Sequence, residues 1–160
     1  MRRRDSGKQA WAERTVRGSA MVRLAEILLV VSGTVALQVA AQAVLLASVR
    51  FFGHRMRGAT EFRRVFWVSL GAVVPLLFGH FAQVGLWAGF LVLLGALKTY
   101  DDAFYFALVT FATLGYGDIV LAPTFRILGA VGAACGSLMF GWSTALIFAA
   151  ISRAIDREQA

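Results

Sequence analysis

The chain has 160 residues, of which 59% are hydrophobic and only 16% charged, with a net charge of +7 and a pI near 10.8. Soluble domains carry about 25% charged residues, so an ordinary water-soluble fold is excluded. Excess positive charge in a soluble protein would suggest nucleic acid, but here the basic residues flank apolar runs, the pattern of membrane orientation.

Residues 1–23 are polar and basic, with Arg2, Arg3, Arg4, Lys8, Arg14, Arg17 and Arg23 against Asp5 and Glu13. Residues 27–49, 65–97, 103–117 and 127–152 then contain no Asp, Glu, Lys or Arg. A spanning helix needs about 20 apolar residues. The first, second and fourth of these runs therefore predict membrane-spanning helices over roughly 24–49, within 65–97, and 125–152, while the third is too short to cross. The first run is long for a signal peptide, starts late, and reaches Arg50 without a small-residue cleavage pattern. The single cysteine, Cys135, lies in the last run and has no partner for an intrachain disulfide.

In the first span, Thr34, Gln38 and Gln42 form one polar stripe, and Ala36, Ala40, Ala43 and Ala47 a neighbouring stripe of small residues. Both predict a face packed on protein, which makes this helix a peripheral brace. It carries no ladder of arginines, which argues against voltage sensing. Residues 50–64 read as a basic connector, and Pro75 as a bend in the second span. His80 and Gln83 share one face of that span. His80 is a candidate pH sensor; the plainer reading is a neutral imidazole bonded to a neighbouring helix, at Gln38 or Gln42. Asp102 is the expected N-cap of a short helix over 103–112. In the last span, Gly129, Gly132, Gly136 and Gly141 suit close helix contacts, and Ser137 and Thr144 are candidates to line a cavity.

The basic connector belongs in the cytoplasm, which places the basic N-terminus outside, against the usual bias. Initiation at Met21, or a first helix that does not cross fully, would remove the conflict, and we favour the former. Mass spectrometry that finds peptides from residues 5–17 in natively expressed protein would defeat it.

Between the third run and the fourth stands "TLGYGD", residues 113–118. Glycine disfavours helix by about 1 kcal/mol against alanine, but adopts positive φ at no steric cost. Gly115 and Gly117, alternating with Leu114 and Tyr116, allow successive carbonyls to point one way, a ligand set for a hard cation. Thr113 adds a hydroxyl at the inner end, and the Leu114 and Tyr116 side chains are expected to brace the loop against the short helix.

Residues 103–118, "AFYFALVTFATLGYGD", resemble the pore helix and selectivity filter of potassium channels. The sequence departs from that pattern at Leu114, where valine or isoleucine is usual, at Ala112 in place of a second threonine, and at Val109 in place of an acid. The resemblance covers roughly 65–152. It implies an all-α integral membrane protein with three transmembrane helices and a re-entrant pore helix and filter loop between the second and third. It implies a passive, potassium-selective homotetramer with potassium ions at Thr113, Leu114, Gly115 and Tyr116, and Gly117 completing the filter. Asp118 would form an acidic ring at the outer mouth, with a hydrogen bond to Tyr105 as the alternative or additional role. Gly136 or Gly141 would be a gating hinge. The expected divisions are an N-terminal extension 1–23, a brace and connector 24–64, a pore domain 65–152 and a short tail 153–160.

The expected partners are the lipid bilayer and further copies of the chain, with no nucleic acid, no soluble ligand domain and no cofactor beyond the permeant ion. With two histidines and one cysteine the sequence offers no enzymatic constellation. The 14 arginines against 2 lysines suit a GC-rich bacterial genome, hence a bacterial inner membrane. A weakly selective cation channel, on account of Leu114, and a non-conducting scaffold or modulatory subunit are the alternatives.

Overall fold

The computed structural model describes the backbone of residues 3–56, 58 and 60–156, and the side chains of these from 21 onward except 154 and 156. The basic side chains before residue 21, and Arg157, lie outside the described residues. Among the described residues four α-helices follow one another: α1 (Arg3–Arg55), α2 (Glu61–Leu93), α3 (Tyr100–Phe111) and α4 (Arg126–Asp156), the last entered through a 3-10 turn at Pro123–Phe125. Three stretches are long and apolar enough to cross a membrane: Met21–Arg55, Glu61–Leu93 and Pro123–Arg153. At about 1.5 Å per residue, α3 is about 18 Å long and cannot span.

The helices overrun the charge-free segments that announced them. The connector between α1 and α2 is confined to 56–60, because Arg50, Arg55, Arg63 and Arg64 sit within helices rather than between them. Arginine is a good helix former, and its charge marks what leaves the hydrocarbon, not where a helix stops. Pro75 lies inside the unbroken α2. At the opposite end, Arg23 donates to the Thr124 carbonyl at 3.1 Å, tying α1 to the start of α4. The ends of α1 and α4 that carry Arg55 and Arg153 therefore lie together, beside the start of α2.

The bundle is layered along its length. One apolar core surrounds α3, where Trp87 and Leu91 of α2, Ala107 and Phe111 of α3, and Leu128 and Met139 of α4 are buried. A second core, at the other end, joins Ala41 and Leu45 of α1, Leu76 of α2 and Ala150 of α4. Polar side chains lie between them. Gln83 donates to Gln38 Oε1 at 2.8 Å, Gln38 donates to Ser143 Oγ at 3.0 Å, and His80 Nε2 shares a 3.1 Å hydrogen bond with the same hydroxyl. Thr34 accepts from the Trp87 indole at 3.0 Å and donates to the Val30 carbonyl at 2.8 Å. Thr34, Gln38 and Gln83 are fully buried.

Two expectations for α1 are revised. Its polar stripe does face protein, but Ala36, Ala40, Ala43 and Ala47 are exposed in the single chain. The close approach to α2 is made by Ala41, whose Cβ would lie 2.6 Å from a Cβ placed on Gly79. One face of a helix carries several candidate stripes, and the polar one set the rotation. His80 also finds a different partner from the expected Gln38 or Gln42: it bonds Ser143 of α4, while Gln38 reaches that hydroxyl from the other side. Only the register of α4 decides this.

The two candidate hinge glycines differ in their surroundings. A Cβ on Gly136 would collide with the Phe111 carbonyl oxygen and lie 2.9 Å from Phe111 Cα, so α4 touches the end of α3 backbone to backbone there. A Cβ on Gly141 would meet nothing within 4 Å. Gly136→Ala is therefore expected to destabilise the chain by roughly 1–3 kcal/mol, as overpacking does. Gly141→Ala should be neutral or stabilise by up to about 1 kcal/mol through its helix propensity. Unfolding of the purified variants in mixed micelles measures both; equal stability would contradict the packing role of Gly136.

Candidate functional site

The site is the end of α3 and the loop that leaves it. Helix α3 starts at a cap of reciprocal bonds. The Thr99 side chain accepts from the Asp102 backbone N–H at 3.1 Å, and its hydroxyl donates to Asp102 Oδ2 at 2.7 Å. Thr99, with φ −113° and ψ 150°, is thus the N-cap. Asp102, expected in that role, instead sits in the first turn, where its charge with that of Asp101 suits the positive helix end. Both residues are good caps in isolation, and the backbone chooses the one in extended conformation.

Helix α3 stops by turning back on itself. Ala112 is the C-cap, the Thr113 N–H donates to the Thr110 carbonyl at 2.9 Å, and the Leu114 N–H donates to the Val109 carbonyl at 2.9 Å. This is a Schellman arrangement, which requires a left-handed residue immediately after the C-cap. Thr113 is that residue, with φ +61°, the single non-glycine at positive φ among the described residues. The conformation costs a β-branched residue about 1–3 kcal/mol. The Gly115 N–H leans on the same Val109 carbonyl at 3.4 Å.

The handedness then alternates. Thr113, Gly115 and Gly117 have φ of +61°, +55° and +79°, whereas Leu114 and Tyr116 are not at positive φ. Among the described residues, no hydrogen bond ends on a carbonyl oxygen of 113–117. The N–H groups at the start of the loop are spent on the helix, and the carbonyl groups are left open. The positive φ at the two glycines follows from the sequence; that at Thr113 was missed. Its signal is a weak one, the distance from the last helical residue, because nothing in a threonine advertises a left-handed turn.

Residues 113–118 are all exposed in the single chain. Leu114 is 56% and Tyr116 67% exposed, so within one chain these side chains do not brace the loop against α3 as expected. The loop is held from its far side. Tyr105 Oη donates to Asp118 Oδ2 at 2.7 Å, and the Ile119 N–H donates to Asp118 Oδ1 at 3.0 Å. Asp118 thereby ties the end of the loop to the second turn of α3. Phe111, buried at the end of α3, anchors the near side, with its ring 5.8 Å from that of Phe140 and 6.3 Å from that of His80. Ser137 and Thr144 are exposed on α4, and their hydroxyls donate to the Ala133 and Phe140 carbonyls one turn earlier. The Cys135 side chain is half-buried in α4.

An ion channel family pattern matches residues 64–153, more than half of the chain and all of the elements that form this site. The chain belongs to that ion channel family. No curated protein and no solved structure matches it. With three helices able to span a membrane, the family makes it a multi-pass membrane protein with a channel domain over α2, α3 and α4.

The Tyr105 hydrogen bond, with the Ile119 N–H, holds the Asp118 carboxyl below its ordinary 3.8 and raises the Tyr105 hydroxyl above its ordinary 10.0. A depressed carboxyl keeps its tether at pH values above the ordinary carboxyl range and loses it only as pH falls below that range. Tyr105→Phe removes the largest cause and should move the Asp118 midpoint upward. Carboxyl carbon NMR of labelled protein from pH 7 downward measures this; an unmoved midpoint would show that the hydroxyl does not stabilise the charge.

Proposed function

We propose that the chain is one subunit of a potassium-selective channel that conducts passively, in which four copies of the loop 113–117 surround a common axis. The observation that carries this reading is the alternation of left-handed residues at 113, 115 and 117 with carbonyls that accept no hydrogen bond among the described residues. Alternating handedness turns successive peptide planes so that their oxygens share a direction, whereas an extended strand would point them to opposite sides. Open carbonyls between two spanning helices are tolerated only where they line a cavity or bind a ligand. The oxygens of Thr113, Leu114, Gly115 and Tyr116 would replace the water of a potassium ion, with Gly117 closing the outer end.

One loop covers one side of an ion. Closed cyclic symmetry supplies the other sides, and a tetramer fits the resemblance of the filter sequence. The exposure of Leu114 and Tyr116 supports this arrangement, since both would be packed by a neighbouring subunit rather than by their own α3. The negative end of the α3 dipole favours a cation inside the filter. Asp118 adds negative charge at the outer mouth. The arginines that flank α1 and α2 put the connector in the cytoplasm and the loop on the outer side.

The test is potassium flux from liposomes holding the purified chain. Wild type should release potassium far faster than sodium. Gly115→Ala places an L-residue at φ +55°, which costs about 1–2 kcal/mol per chain and is felt in every subunit, so flux should fall at least about tenfold. A Cβ there meets nothing within 4 Å in the single chain, so folding of the helices should survive. Reversal potentials near zero in mixed potassium and sodium would instead give a weakly selective pore. Absence of any alkali-ion current would make the chain a scaffold and sink the proposal.

A further inference from the structure

The ends of α1, α2 and α4 that carry Arg55, Glu61 and Arg153 do not close on one another. A cavity of about 660 Å³ separates them. Its lining is partly apolar, with Leu46 of α1, Val68 of α2 and Ala150 of α4, and partly cationic, with Arg50 of α1, Arg64 of α2 and Arg153 of α4. Among the described residues, no acidic side chain lines it. Arg50 and Arg153, from two different helices, thus line one space. Like charges gathered at one place repel, and an anion between them reverses the sign of that term.

Aromatic rings fix the depth of this space. The Phe52 ring stacks on Trp67 at 5.6 Å, and Phe66 meets the same indole edge-on at 5.6 Å. Such clusters collect at the boundary between hydrocarbon and headgroups. The cavity therefore sits at the level where a phospholipid is half charged and half apolar, and its own lining divides the same way.

We infer that this cavity binds the headgroup of an anionic phospholipid, with its phosphate against Arg50 and Arg153 and the start of its acyl chains over Leu46, Val68 and Ala150. The planar guanidinium fork matches phosphate oxygens in pairs, which a lysine does not. A volume of this size is in the range of specific small-molecule sites. Soluble phosphate shares the anionic chemistry but leaves the apolar lining unused. The site lies away from the loop 113–118 and does not depend on which ion that loop conducts. The bound lipid would join α1 to α4, so the brace helix would be fastened to the conducting part by a component of the membrane itself.

Native mass spectrometry of the full chain, released from detergent with equal amounts of dioleoylphosphatidylglycerol and dioleoylphosphatidylcholine, tests this without any flux measurement. Wild type should retain the anionic lipid preferentially. Arg50→Gln with Arg153→Gln should lower that retention at least about tenfold beyond the control below, since the lipid phosphate loses two charge-assisted contacts. Arg55→Gln with Arg63→Gln removes the same charge outside the cavity and should lower retention only by the smaller surface attraction that all these arginines share. If the first pair does not fold, Arg153→Gln alone should lower retention about fivefold beyond Arg55→Gln alone. Unchanged retention in the cavity variants, an equal loss in both pairs, or no preference for the anionic lipid would overturn the site. Displacement of the lipid by excess inorganic phosphate would also overturn it and assign the cavity to a soluble anion.

Discussion

The turn at the end of α3 is the constraint on which the site rests. Two backbone N–H groups, those of Thr113 and Leu114, fold back onto the carbonyls of Thr110 and Val109 and end the helix. The first donors of the loop are thereby consumed, and among the described residues its acceptors are not. A helix end buried in a membrane protein must satisfy its last carbonyls somehow, and here it does so with the very residues that begin the loop. The arrangement requires a left-handed residue at position 113. Threonine occupies it, at a cost that glycine would avoid. A hydroxyl at that place is the feature a glycine cannot supply, and in the proposed channel that hydroxyl is a ligand at the inner end of the filter.

Position 113 is held because both sides of the turn are fixed. Behind it, Phe111 is buried between α2 and α4, and the backbone of α4 comes against the Phe111 carbonyl at Gly136, where any side chain would intervene. Ahead of it, Asp118 is tied to Tyr105. The loop between has no comparable restraint inside one chain. Its Leu114 and Tyr116 side chains are exposed in the single chain, where the proposed assembly would pack a neighbouring copy. The packing role of Gly136 also separates it from Gly141: a Cβ at the first would strike the Phe111 backbone, whereas one at the second would meet nothing within 4 Å.

Much of the fold was legible because lipid allows so few solutions. Charge-free runs announced three spanning helices, since every backbone group in hydrocarbon must be bonded within its own helix. The polar stripe of Thr34, Gln38 and Gln42 announced which face of α1 meets protein. Gly115 and Gly117 announced the left-handed steps of the loop. What stayed hidden depended on register or on local competition. Asp102, by type the stronger cap, was expected in that role, but the extended backbone at Thr99 gives it to the threonine. The helix ends lay beyond the apolar runs because arginine extends a helix while leaving the membrane. The partner of His80 depended on how far α4 slides past α2, which no single helix records. The alanine stripe of α1 misled because small residues permit close contact without requiring it.

The layer at Gln38 relates these parts mechanically. In hydrocarbon, helices are not driven together by the hydrophobic effect, so small contacts and hydrogen bonds set how they associate. Ser143 accepts from Gln38 of α1 and bonds His80 of α2, and is the point at which α4 is bonded to both. Each such bond contributes on the order of 1 kcal/mol. Sliding of α4 at this layer cannot proceed without exchanging the partners of one hydroxyl. Movement of α4 against α2 is therefore felt by α1. The brace helix is part of the energetics of the inner helix, not a bystander to it.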